Sequence, residues 1–533
     1  MSDTESTALV RERATPGESL ATALLAVAAL GFLAGWAALF QWLDEGSAHL
    51  GVGLVQWLGV CLVVLGVGLA ALGPAARLGF ADATPSPSAG VPVAVVYGLL
   101  WSAGGGAVGV LLFGAGPLWL PLALAAGAAG SGVALFARED LGATLPAAAV
   151  LVSAGAAVTA GPIGPGWTWD PAWSSAVFPG SELAPALVVA GSLLGAWVAA
   201  KARDGFGAQG RETGARVLVG TVVFGTLGVL ALLIGFIVAN GLDAVLTGVS
   251  PTGGRLTVPV VGVTLPWIEV PFLTNVTGGL FVEVPGVLPA VVGTLWLVAG
   301  AVAFAVPLGV GAAVFLTEYA ERGRFTQVVE VATSGLWSTP SIVFGLFGLA
   351  FLVPRISGGN SILVGQLVLG FMLLPLVLIT SREALKSVPD EYRDASAALG
   401  VSKWQTIRSA VLPAAMPGTI TGIILGVGRI AGETAPLLLV FGGAPYPDST
   451  PDVLGSFELT ARPPFVTNEA LLSPASALPY QLYSTITAGV FPKEAFTNQE
   501  FGWGTALVLL LVVIGLYAIG VASRLYFRRK LHE

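Results

Sequence analysis

The chain has 533 residues, 55% of them hydrophobic and only 10% charged, with a mean hydropathy of +0.85 and a formal net charge of −7. That profile excludes an ordinary soluble globular domain and points to an integral membrane protein. The one cysteine, Cys61, supports no disulfide framework, and the two histidines, His49 and His532, lie too far apart in sequence to build a metal cluster. No metal site and no nucleic-acid partner are expected.

A spanning helix needs roughly 20 mostly apolar residues. In the first half such runs lie near residues 20–42, 50–73, 91–113, 117–137, 143–161 and 183–200, and in the second near 216–240, 289–316, 331–353, 361–380, 416–441 and 503–527. They predict an all-α polytopic fold of about 12 transmembrane helices. The first run is too long for a signal peptide and ends in FQWLDEG, without a small-residue cleavage site, so it reads as a retained anchor.

Charge gives the expected orientation, because cytoplasmic loops collect Lys and Arg. With both termini inside, all but five of the 24 basic residues fall on inner segments. Arg255, Arg355, Arg462 and Lys493 are outside and Arg429 lies within a span. A multi-pass cell-membrane protein with both ends cytoplasmic is expected.

The chain changes character near residue 201. Residues 1–200 are expected to form a six-span domain, rich in Ala, Gly, Val and Leu, with a TPSPSAG linker at 84–90 and almost no intramembrane polarity. Such helices pack through small residues, and no chemistry is evident in them. KARDGFGAQGRETGA (201–215) reads as a charged cytoplasmic connector, and residues 216–533 carry six further spans, two long outer loops and one long inner loop near 381–415.

In that inner loop, Pro389 suits a first helical turn, with Asp390 and Glu391 at its positive end. Gly400 stops this helix, and Ser402 with Gln405 makes a capping box for a second one that runs to Leu412, before Pro413. The result is a two-helix knob, either an ordinary solvated loop or a grip for a cytoplasmic partner.

Two polar features interrupt the later spans. The first is in TSGLWSTPSIVFGLF (333–347), where Ser338 and Thr339 precede Pro340 near mid-span. This is either a kink with hydroxyls bonded back to the helix or a break whose new half-helix, beginning at Ser341, turns N–H groups toward an anion. The second is VGRIAGETAPLLLV (427–440), with Arg429 and Glu433 four residues apart. An unpaired charge at a helix centre costs about 2.5–3.5 kcal/mol on insertion scales, so Arg429 must face protein or a watery path. Arg429 and Glu433, at i and i+4, are expected on one helical face, which Gly422 and Gly426 continue. The pair either fixes packing or offers a guanidinium to an oxyanion while Glu433 moderates its grip, with Thr434 adding a hydroxyl.

Asp394, Ala395, Gly400, Leu412 and Pro413 fall at the spacing of the EAA loop of ABC importer permeases, with Asp394 where Glu is usual, Ser396 for the second Ala and Ala410 for Ile. RIAGETAPLLL (429–439), TPSIVFGLFGL (339–349) and LPYQLYSTITAG (478–489) resemble the PstA-type permease of phosphate importers, over roughly residues 215–533. The resemblance implies an ABC importer permease for inorganic phosphate that docks on an ABC ATPase dimer through the inner loop. It further implies a PstC-type sister permease and an extracytoplasmic phosphate-binding protein. No G-x-x-x-x-G-K-[ST] phosphate cradle occurs in the chain. It is therefore expected to be a transport subunit rather than an enzyme, with no cofactor of its own and ATP–Mg in the partner ATPase. Sulfate or molybdate transport, or a sensor or scaffold derived from a permease, are the alternatives. Trp267, Phe272, Tyr446, Tyr480 and Tyr483 in the outer loops either receive the binding protein or cap the fold, and Asn275-Val276-Thr277 matches a glycosylation sequon.

Overall fold

The computed structural model describes residues 15–43, 48–49, 52–80, 83–114, 116–164, 166–170, 177–257, 264–278, 282–321, 323–444, 446–463, 465–488 and 495–530. Among them, 11 helices are long and apolar enough to cross a membrane, or 12 when a sharply bent pair counts as one span, in agreement with the hydropathy pattern. The remaining regular structure is short: two-stranded antiparallel ribbons and small helices in the connections. The chain divides into two compact units, Met1–Leu230 and Ala231–Glu533.

The first unit contains α1 (Pro16–Leu39), α2 (Leu54–Arg77), α3 (Val91–Phe113), α4 (Trp119–Phe136), α5 (Glu139–Thr159), α6 (Gly180–Arg203) and the start of α7 (Gly207–Leu246). Thr15 caps α1 in a reciprocal box with Glu18. Leu58, Leu62, Leu65, Leu69 and Leu72 recur at helical spacing on α2 and are buried with Leu151 of α5. Lipid tails are as apolar as leucine, so close packing rather than transfer from water holds such helices together. Glycine provides the closeness. A Cβ at Gly155 would sit 2.7 Å from the Gly59 carbonyl oxygen, and one at Gly66 2.9 Å from that of Ala148.

Charge enters this unit at helix ends, the start of α5 and the last turn of α6. Glu139 and Lys201 are fully buried and paired, with Nζ to Oε1 at 3.2 Å. Glu139 Oε2 also accepts from the backbone N–H groups of Ser86 and Gly207, both at 3.0 Å. In sequence these charges read as loop residues; in the fold the 83–90 segment and the start of α7 close over them. The stretch 201–215 is mostly helical too, the end of α6 and the start of α7 being separated by a turn at Asp204–Phe206.

The second unit continues with the rest of α7, then α8 (Pro271–Thr274), α9 (Leu288–Val314) extended by a π turn at Phe315–Tyr319, α10 (Arg324–Ser338), α11 (Ser341–Phe347), a further π turn at Gly348–Leu352, α12 (Val353–Ile356) and α13 (Ile362–Lys386). After these come α14 (Glu391–Ala398), α15 (Lys403–Thr406), a π turn at Ile407–Val411, α16 (Leu412–Ala431), α17 (Ala435–Val440), α18 (Glu469–Leu472), α19 (Leu478–Ala488) and α20 (Asn498–Lys530). Helix α13 is the buried centre, packed against α9 and α16. Gln366 of α13 donates to the Trp296 carbonyl of α9 at 2.9 Å, and Gly300 is the α9 residue that lets its side chain pass.

Three sequence expectations change here. The run 416–441 is not one helix: α16 ends at Ala431, and α17 begins at Ala435. The second helix of the inner loop does not stop before Pro413, because α15, the π turn and α16 run on as one span, with Pro413 two residues after the π turn. Pro389 precedes the N-cap Asp390 rather than lying inside α14.

Candidate functional site

The two interrupted spans meet at their breaks. At Thr339–Pro340 the chain turns by 102° between α10 and the Ser341–Ile356 segment, so the proline breaks the span rather than kinking it. The hydroxyls nonetheless bond back, Ser338 to the Gly335 carbonyl at 3.0 Å and Thr339 to the same oxygen at 2.8 Å. Ser341 opens α11 and is half-buried. The second break, at Gly432–Thr434, lies beside the first: a Cβ at Gly345 of α11 would sit 2.8 Å from Cα of Pro436 in α17, so the two short helices are in direct backbone contact.

Arg429, in the last turn of α16, bridges the two. Its Cζ lies 4.4 Å from the centroid of the Trp337 ring, one residue before Ser338, and its Nε lies 3.5 Å from Glu433 Oε1. Glu433 is beyond the helix end, so the pair is held by the turn rather than by a shared helical face. The side chains of Arg429 and Glu433 are 38% and 18% exposed. A contact of that length and exposure contributes about 0.5 kcal/mol, which leaves most of the guanidinium's five N–H donors uncommitted. Thr434, half-buried, starts the turn into α17. Gly422 and Gly426 do not open room for a solute: added Cβ atoms would meet Thr380 Oγ1 at 1.9 Å and Leu373 Cδ1 at 2.1 Å, so both serve the contact with α13. Composition singles out Arg429 and Glu433, but the Trp337 stack is missed because a tryptophan in an apolar span reads as packing.

The inner loop is a protruding knob. Asp394 and Ala395 are exposed on α14, and Gly400 ends that helix with φ +71°, a left-handed conformation that favours glycine. Ser402 and Gln405 form the expected reciprocal cap on α15. Leu412 packs at the edge of a buried cluster of Val314, Leu385, Ile407 and Val411, and Pro413 is half-buried beside it. Tyr392, Leu399, Val401 and Trp404 are exposed around the knob, an apolar surface at the tip of a polar loop.

Sequence reasoning missed what holds the knob in place. Arg393 donates to Glu318 of the α9 π turn (Nη2 to Oε1, 2.8 Å), to the Val388 and Leu385 carbonyls at 2.9 and 3.2 Å, and to Asp390 at 3.1 Å. The bonds to Glu318 raise the Arg393 pKa above its ordinary value, so the clamp stays charged. Lys403 Nζ lies 5.1 Å from the Tyr319 ring centroid and adds a second tie to α9.

The outer-loop aromatics are largely structural. Phe272 is fully buried against Phe496 and Phe501, Tyr446 donates to Thr485 at 3.3 Å, and Tyr480 donates to the Gly443 carbonyl at 2.8 Å, while Tyr483 is exposed. The side chain of Trp267 lies outside the described residues. In the sequon, Thr277 is buried, and Asn275 donates to the Val284 carbonyl at 2.9 Å, so both polar groups serve internal packing. No group of three or more His, Cys, Asp or Glu residues arranged to hold a metal occurs among the described residues.

Residues 305–533 match the family model described as binding-protein-dependent transport system inner membrane component. A probable ABC transporter permease protein, YqgI, of Bacillus subtilis is 36% identical over 42% of this chain and 72% of its own length. The phosphate transport system permease protein PstA of Haemophilus influenzae is 31% identical over 46% of this chain and 78% of its own. Among solved structures, an inward-facing form of the MetNI methionine ABC transporter is 16% identical over 45% of this chain and 94% of that chain, with a TM-score of 0.34.

Proposed function

The chain belongs to the binding-protein-dependent transport system inner membrane component family, as a PstA-type ABC permease, and from that premise we propose that it carries inorganic phosphate into the cell. The observation that carries this reading is the position of Arg429: a guanidinium with uncommitted donors, stacked on Trp337 where two spans break side by side. Guanidinium recognises tetrahedral oxyanions through paired N–H bonds. Phosphate still carries a P–O–H group at neutral pH, which Glu433 accepts; sulfate has no such proton and meets the carboxylate with lone pairs only. The names of the PstA relatives point to the same cargo.

Energy enters from partner chains. The exposed apolar side chains of the inner loop suit insertion into an ABC ATPase dimer, and the Arg393 clamp would pass its movement to α9 and α13. Both termini are then cytoplasmic. A PstC-type permease completes the path, and an extracytoplasmic phosphate-binding protein delivers the anion.

The test is ATP-dependent uptake of labelled phosphate in a strain lacking this protein, complemented with the intact chain and challenged with excess sulfate or molybdate. Restored uptake that resists both competitors, and that Arg429→Gln abolishes while the complex still assembles, is the expected result. Competition by either anion, or no restoration from an assembled complex, would overturn the phosphate assignment.

A further inference from the structure

A second arginine–carboxylate pair, Glu330 of α10 with Arg382 of α13, involves the helix that carries Trp337. Glu330, Thr333, Ser334 and Trp337 occupy positions i, i+3, i+4 and i+7 of α10, hence one face. Trp337 holds Arg429, while the first three line a cavity of about 300 Å³ with Arg382 and Lys386 of α13. Along α10, Glu330 and Trp337 are seven residues apart, about 10 Å along the axis. Arg382 donates from Nη2 to Glu330, but its Nε is buried with no hydrogen-bond partner among the described residues. Thr333 donates to the Val329 carbonyl at 2.6 Å, which leaves its oxygen free to accept. Lys386 is held by Glu383 at 2.8 Å.

We propose that this cavity is an inner station for a protonated oxyanion, reached after Arg429 and before release to the cytoplasm, an inference that rests on the phosphate reading above. Arg382 supplies the charge. Glu330 accepts a hydrogen bond from the P–O–H group, as Glu433 does at the first station, and Thr333 provides a further acceptor. With two carboxylates and two cations around it, the site is close to neutral and so holds its anion weakly, as a release site must. A bare dianion without a proton meets Glu330 as a like charge and is refused.

The experiment uses the complete importer in proteoliposomes with the ATPase outside, and the binding protein and labelled phosphate inside. ATP-driven release of label to the bath tests the phosphate reading itself; if no label moves, that reading fails first and the station falls with it. With transport running, phosphate or sulfate is added to the bath at equal ionic strength. In the wild-type complex phosphate slows transport and sulfate does not. Arg382→Gln removes the slowing specific to phosphate, which separates it from product inhibition at the ATPase because that would persist. Glu330→Gln makes sulfate an inhibitor, with potency raised about tenfold by relief of one carboxylate–oxyanion repulsion; this gain cannot come from misfolding. Transport that proceeds in all three complexes, with phosphate slowing Arg382→Gln as it slows wild type or with sulfate still ignored by Glu330→Gln, would overturn the station while leaving the phosphate reading standing.

Discussion

Arg393 and Glu318, 75 residues apart in sequence, form a direct bond of 2.8 Å that fixes the inner loop to the end of α9. Glu318 is only 7% exposed and lies in a π turn, an irregular segment of the kind often found at functional positions. Arg393→Gln leaves that carboxylate without its fork. We expect a loss of about 2 kcal/mol in stability, moderated because Arg393 itself is partly exposed. ATP hydrolysis should persist while phosphate moved per ATP falls. Arg393→Lys keeps the charge but not the fork and should recover only part of the coupling. Equal coupling in wild type and Arg393→Gln would remove the clamp from the mechanism.

Gly400 offers a narrower test of the same loop. Its φ of +71° costs an L-residue about 1 kcal/mol, while a Cβ there meets nothing within 4 Å. Gly400→Ala should therefore weaken the turn between α14 and α15 without disturbing the membrane helices. The expected outcome is normal insertion and a several-fold weaker association with the ATPase, read by co-purification at graded salt. Gly400→Asn, which tolerates the left-handed region better, should lie between the two.

Much of this architecture is written in local sequence, and its limits are physical. Hydropathy marks the spans because a bilayer demands apolar helices of one length. Gly400 and the Ser402–Gln405 cap are legible because their signals lie within a few residues of one another. The end of α16 at Ala431 is not, since Gly432 in an apolar run reads equally as packing. Nor are the partners of Arg393, Arg382 and Lys201, which come together only when distant helices pack. Arg429 stands out by its cost in the membrane, whereas Trp337, which engages it, has no such cost to mark it.

Trp337 supplies the next prediction. A guanidinium over an indole face contributes about 0.5–1 kcal/mol at a half-exposed site, and the stack also fixes where the donors point. Trp337→Leu keeps an apolar, though smaller, side chain and removes that face. The apparent KM for phosphate in uptake should rise about threefold to fivefold, with the amount of assembled complex unchanged. An unaltered KM would mean that the stack serves packing alone.

The buried pair of the first unit is open to a stability cycle. Lys201→Met leaves the Glu139 carboxylate buried and held only by the Ser86 and Gly207 N–H groups. The cost of breaking such a pair is about 3–5 kcal/mol, and those two N–H bonds favour the lower end. Glu139→Gln instead leaves the ammonium without its counter-charge, beside the Trp197 ring at 5.4 Å to the centroid and under the like charge of Arg211, and should be at least as damaging. The double variant Lys201→Met with Glu139→Gln removes both charges, and the amide oxygen of the new glutamine still accepts from the backbone. It should therefore be more stable than either single variant. Thermal melts of the four proteins in one detergent give the coupling directly, and costs that simply add would show that the two charges are stabilised independently.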